Sequence, residues 1–187
     1  MAMTPRQRWR AVLEGNRPDR TPCDYWGTAE ITNRLVADLN GHSVEGLLAA
    51  LGETYAITPD VAPAPTERGS LTMYLAGRWY GLSPLPGVVP ADPVGALDVS
   101  VLQTRVLAPV LGIENPRTDA RISFVGGIRG APALQAAVDS GAAAVAFHMF
   151  PTGLDQLFAV ADAGQLMPPK STWFEPKLRG GVLVHRL

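Results

Sequence analysis

Leu71-Thr72-Met73-Tyr74-Leu75-Ala76-Gly77-Arg78-Trp79-Tyr80-Gly81-Leu82 is the stretch on which the fold turns. Two short runs rich in aromatic and aliphatic residues flank a dipeptide whose glycine tolerates positive φ. That pattern predicts a β-hairpin with a two-residue loop. Downstream, Asp98 is placed to cap a helix carrying Val99, Leu102, Val106 and Val110 on one stripe, with Pro109 weakening its last turn. Arg121 to Val125 alternates as a strand does, and Gly126-Gly127-Ile128-Arg129-Gly130 reads as a tight loop. Pro132 opens a helix through Val138, stopped by Gly141. Ala143 to Phe150 is an apolar run of strand length. Thr152-Gly153-Leu154-Asp155 resembles a capping box with Asp in the place of Glu, and the helix behind it ends at Gly164. Val182 to His185 reads as a last strand. Strands interleaved with helices predict an α+β (or α/β) domain, a mixed sheet with the hairpin and packed helices.

Upstream the period changes. Thr4 and Pro5 open a first helix with Trp9, Val12 and Leu13 on one face. Thr28 is read as the cap of a second, with Ile31, Leu35 and Leu39 at i, i+4, i+8. Ser43 begins a third, with Val44, Leu47, Leu48 and Leu51 on one side. Pro59, Pro63 and Pro65 then favour an extended linker. The expected organisation is a helical N-terminal arm over 1–60, a Pro-rich linker over 61–70 and an α/β domain over 71–187, the arm and the domain not sharing one core.

Length and charge exclude several function classes. A chain of 187 residues suits one compact domain. A (β/α)₈ barrel needs roughly 200 residues at the least. A net charge of −1 gives no global field toward nucleic acid or an anionic membrane. No run approaches the length of a membrane span, and the N-terminus has no apolar leader core, so a cytoplasmic location is expected. Cys23, His42, His148 and His185 show no zinc-ligand spacing, so no metal site is expected. His148, inside an apolar run, is read as a histidine without chemistry.

Two stretches could hold an anion. Gly126, Gly127, Arg129 and Gly130 follow a strand and precede a helix, so backbone N–H groups and a guanidinium can face an oxyanion. Val125 stands where a dinucleotide fingerprint needs glycine. The second stretch is Lys170-Ser171-Thr172-Trp173-Phe174-Glu175-Pro176-Lys177-Leu178-Arg179. Residues 170–187 carry Lys170, Lys177, Arg179 and Arg186 against Glu175 alone. Hydroxyls beside lysines suit phosphate, and Glu175 is the candidate general base. Pro168-Pro169 stand where a Walker A loop would have glycine. The two loops are expected to meet around one anion. The bland alternatives are a tight turn with a surface arginine, and a proline-pinned loop filling core. Asp98, Arg117, Asp119 and Arg121 are read as a cap and a local ion pair, with magnesium relevant only to phosphoryl transfer.

Two resemblances follow, one for each segment. Thr4-Pro5-Arg6-Gln7-Arg8, Gly15-Asn16-Arg17-Pro18-Asp19-Arg20-Thr21-Pro22 and Trp26-Gly27 resemble the start of the uroporphyrinogen decarboxylase family, a complete (β/α)₈ barrel. Over 1–60 alone this implies a shared arm, not decarboxylation. From about Leu71 to Leu187 the chain resembles the C-terminal part of the domain of unknown function 1015 family. The stretches that carry this include Leu97-Asp98-Val99-Ser100-Val101-Leu102, Phe124-Val125-Gly126-Gly127-Ile128-Arg129-Gly130 and Met167-Pro168-Pro169-Lys170-Ser171-Thr172-Trp173-Phe174-Glu175-Pro176-Lys177-Leu178. Members run to about twice the matched length, and some are similar to serine kinases. The resemblances together imply a fusion of two fragments. Three readings result: a non-catalytic truncated or fused remnant; a domain binding a small anionic metabolite, phosphotransferase-like in origin; and, last, a decarboxylase-like protein. No cofactor is assigned, and a partner carrying the missing half, or an oligomer, stays open.

Overall fold

A computed structural model describes residues 32–168 and Ser171. The expected helix over 4–15, the strand over 182–185 and Cys23 lie outside the described residues. The elements are β1 (Thr32–Val36), α1 (Val44–Gly52), β2 (Tyr55–Pro59), β3 (Leu71–Leu75), β4 (Arg78–Pro84), α2 (Asp98–Leu102), β5 (Ile122–Gly126), α3 (Gly130–Asp139), β6 (Val145–Met149) and α4 (Leu154–Asp162). A π-helical turn, Gln103–Leu107, continues α2, and a 3₁₀ turn, Gly127–Arg129, leads into α3. The six strands form one sheet in the order β2-β4-β3-β6-β1-β5. All five pairings are antiparallel, so the α+β expectation holds and the sheet is not mixed.

The hairpin forms as read. Leu75 pairs with Arg78 across a loop in which Ala76 and Gly77 both have positive φ, 50° and 79°. That geometry matches the right-handed twist of the two strands. Alternation then divides the side chains between two faces. Leu71, Met73, Leu75, Tyr80, Leu82, Val145, Phe147, Met149 and Val36 join the main core, with Leu47 and Leu51 of α1 and Val99, Leu102 and Val106 around α2. The second face carries Tyr74, Trp79 and Ala146, against which Leu134 of α3 is buried.

The N-terminal expectation is corrected in two places. Residues 32–36, read as part of a helix, are a strand paired on both sides, with β5 and with β6. The i, i+4 spacing of Ile31, Leu35 and Leu39 is real. Two antiparallel ladders outweigh the weak helical preference of five residues. Residues 55–59 are likewise a strand, β2, on the edge beside β4. The sheet therefore runs through both sides of the Pro59-to-Pro65 stretch, and the expected boundary there is no boundary between cores. Ser43 does cap α1, accepting from the Gly46 N–H at 3.0 Å. At α2 the cap position falls on Leu97. Asp98 lies in the first turn and accepts instead from the Gly69 N–H at 3.3 Å. At α4, Gln156 and not Asp155 reaches back to the Gly153 N–H, at 3.0 Å, while Asp155 pairs with Arg68 at 2.7 Å.

Candidate functional site

β1 is the strand that builds the site. Its alternation puts Arg34 and Val36 on the core face and Asn33 and Leu35 on the other. Arg34 pairs with Phe147 of β6 on one side and Phe124 of β5 on the other, so it sits inside the sheet and is only 4% exposed. Its guanidinium carbon lies 5.7 Å from the centre of the Phe124 ring, a cation over an aromatic face. Burial brings its pKa down to about 10, because removing water penalises the charged form.

Arg34 and Phe124 form one wall of a cavity of about 140 Å³. Val99, Ser100, Gln103 and Thr104 form the facing wall. The π-helical turn shapes that wall. The Ala108 N–H donates to the Gln103 carbonyl at 3.0 Å, five residues back, which widens the helix where it borders the cavity. Such turns recur at functional sites. The Gln103 amide nitrogen donates to the Ile113 carbonyl at 2.8 Å, which fixes the side chain. Thr104 Oγ1 donates to the Ser100 carbonyl at 2.9 Å. The polar outfit is thus a buried multi-donor cation, the Ser100 hydroxyl, and acceptor oxygens on Gln103 and Thr104. This set suits a small ligand carrying a carboxylate or phosphate together with a hydroxyl or amine.

Pro116 and Pro168 complete the rim. Pro168 opens the second anion-prone stretch, and Ser171 is buried with its hydroxyl donating to the Pro168 carbonyl at 2.6 Å. Ser171 is therefore tied to the loop backbone. Lys170, Thr172, Glu175, Lys177 and Arg179 lie outside the described residues, so the expected meeting of their loop with Arg129 does too. Gly126, Gly127, Arg129 and Gly130 are where the strand-to-helix reading puts them, and none of them lines the cavity. Arg121 closes on Asp119 at 2.8 Å and on the Leu111 and Gly112 carbonyls, the local ion pair expected there.

Arg34 and Asn33 escaped the sequence reading. The signal was an arginine alternating with β-branched residues, Thr32-Asn33-Arg34-Leu35-Val36, and the helical reading of that stretch hid it.

Among the described residues, no group of three or more His, Cys, Asp or Glu could hold a metal ion. No helix among them is long and apolar enough to cross a membrane. Neither a curated protein nor a solved structure matches the chain. The uroporphyrinogen decarboxylase resemblance finds no support. Residues 29–60, assigned to it above, fall instead within the segment that matches a different family. That segment, residues 29–100, runs from β1 to the start of α2 and carries the cavity residues Arg34, Val99 and Ser100; it matches the family described as "Protein of unknown function (DUF1015)".

Proposed function

We propose that the domain binds a small metabolite bearing a carboxylate or phosphate in the cavity at Arg34. One observation carries this reading: a buried arginine walls a cavity that also holds the Ser100 hydroxyl and the Gln103 and Thr104 oxygens. An aqueous anion gains little from one surface cation. The same pair at reduced dielectric gains several-fold more, because the Coulomb energy scales inversely with the dielectric constant. The phosphotransferase-like origin considered above fits the same ligand class, and magnesium belongs to it only if phosphoryl transfer occurs.

The test is a thermal-shift screen with phosphate, pyrophosphate, nucleotides and amino acids. A ligand at about 100 times its Kd adds roughly 2.7 kcal/mol. For a chain of this size that is a rise of about 5–10 °C in Tm. Ser100→Leu, which fills the cavity, should abolish the rise. No response to any compound would overturn the reading.

A second reading is a non-catalytic remnant in which the same residues serve only the fold. The cavity's size favours it, since 140 Å³ is well under the roughly 300–1,000 Å³ usual for ligand pockets. A flat screen would select it.

A further inference from the structure

The loop Gly126–Gly130 remains without a role, and the surroundings of its helix supply one. β5 ends on Gly126, the 3₁₀ turn follows, and α3 begins at Gly130. Gly130 has φ 60° and ψ −173°, a conformation closed to residues with a side chain. No side chain caps α3, and its first turn holds no acidic residue. The Gly130 N–H is taken by the Gly127 carbonyl. The N–H groups of Ala131 and Ala133 have no acceptor within the helix, as in the first turn of any α-helix, and Pro132 has none to offer. An uncapped, ten-residue helix presents the positive end of its dipole here.

An independent observation comes from β1. Its ladder with β6 stops at the Arg34–Phe147 pair. The next residue, Asn33, bridges the gap with its side chain, Oδ1 accepting from the Met149 N–H at 3.0 Å. Asn33 is fully buried, and its Nδ2 has no hydrogen-bond partner. A buried amide nitrogen left unpaired is costly, and such groups mark sites where something else binds. Asn33 shares its face with Leu35, which packs beside Ala131, Leu134 and Val138 of α3. Register sets which end of α3 it meets. Thr32 pairs with Gly126, so Asn33 lies one residue from where β5 turns into α3. The opposite end of α3 is pinned elsewhere, by the Tyr74 hydroxyl donating to Asp139 at 2.8 Å.

We infer that the Asn33 amide, the Ala131 and Ala133 N–H groups and the exposed guanidinium of Arg129 form a cradle for a tetrahedral oxyanion. Its ligand is phosphate or the phosphoryl group of a small metabolite. The cradle is separate from the Arg34 cavity, because neighbouring residues of β1 face opposite sides of the sheet. The two sites can therefore fail independently.

The experiment is a titration of the ¹⁵N-labelled full chain with inorganic phosphate, with chloride at matched ionic strength as the control. The readouts are the Ala131 and Ala133 backbone amides and the Asn33 side-chain amide. Saturable movement with phosphate alone is expected. Arg129→Gln, a change at an exposed side chain, should weaken binding several-fold while leaving the thermal response of the Arg34 cavity in place. Asn33→Asp, which replaces the orphan donor with an acceptor oxygen, should abolish it; if that variant does not fold, Arg129→Gln carries the test. Methyl phosphate binding within a few-fold of phosphate identifies a phosphoryl group as the ligand. Preference for the free ion identifies phosphate itself. No movement up to ~10 mM, a millimolar site being the weakest of use, overturns the cradle and leaves water as the partner of Asn33. Equal movement with chloride, or binding indifferent to Arg129→Gln, overturns it as well.

Discussion

His148 shows how one residue's surroundings set its chemistry. It lies on the second face of the sheet, half-buried, with Nδ1 at 2.9 Å from the Pro63 carbonyl and its ring 6.3 Å from that of Trp79. A carbonyl only accepts, so Nδ1 carries the proton and Nε2 is the titrating nitrogen. Burial lowers the pKa, and the bond to Pro63 partly restores it. The folded state then binds a proton less readily than the unfolded chain does. The contribution of neutral His148 is present above the ordinary histidine pKa of 6.5 and is lost as the pH falls through the lowered value. Stability should therefore decline on acidification from about pH 6.5 downward. His148→Asn, which keeps a donor for Pro63, should flatten that part of the profile in denaturant melts taken at several pH values. An unchanged slope would remove His148 as its source.

At the scale of the element, the β3–β4 hairpin carries a correctable flaw. Its loop needs two residues at positive φ, and Ala76 occupies one of them at 50°. A side chain in that conformation costs roughly 1–2 kcal/mol, less for asparagine, whose short polar side chain tolerates it. Ala76→Asn should raise stability by about 0.5–1 kcal/mol without altering the register, by the usual gain from matching a turn residue to its turn. Equilibrium urea unfolding would measure it, with an unchanged m-value as the sign that both end states are preserved. The element scale also explains Asn33. A strand that diverges from its neighbour must satisfy the abandoned N–H groups by other means, and a side-chain amide does so for Met149.

For the whole molecule the decisive fact is that β1 and β2 belong to the same sheet as β3 to β6. β1 separates β6 from β5, and β2 covers the outer side of β4. A fragment starting at residue 61 would leave β5 with no strand to pair with and would open β4 and β6 as edges. It would also lose Leu47 and Leu51 from the core. Such a fragment should show no cooperative thermal transition, whereas the full chain should show one, and circular dichroism melts of both would decide. A cooperative fragment would restore the arm-and-domain organisation read from the prolines. Those prolines mark a connection across the second face instead. The Pro63 carbonyl accepts from the Thr72 hydroxyl and from His148, which ties the connection to β3 and β6.

By itself the sequence determined what short-range forces decide. The hairpin rests on a two-residue loop and flanking β-formers. α1 rests on the Ser43 cap and its stripe, and α3 and α4 on their glycine stops and apolar spacing. The strand before Gly126 and the Gly126–Gly130 turn were legible for the same reason. Only the tertiary structure decided the state of residues 32–36 and 55–59. A five-residue strand buried by neighbours from residues 78–84, 122–126 and 145–149 has its stabilising partners far away in the chain. Local spacing there pointed to a helix, and pairing energy overrode it. The cavity at Arg34 was hidden for that reason. Its walls come from residues 34, 99–104 and 124, and no motif joins them until the strands pair.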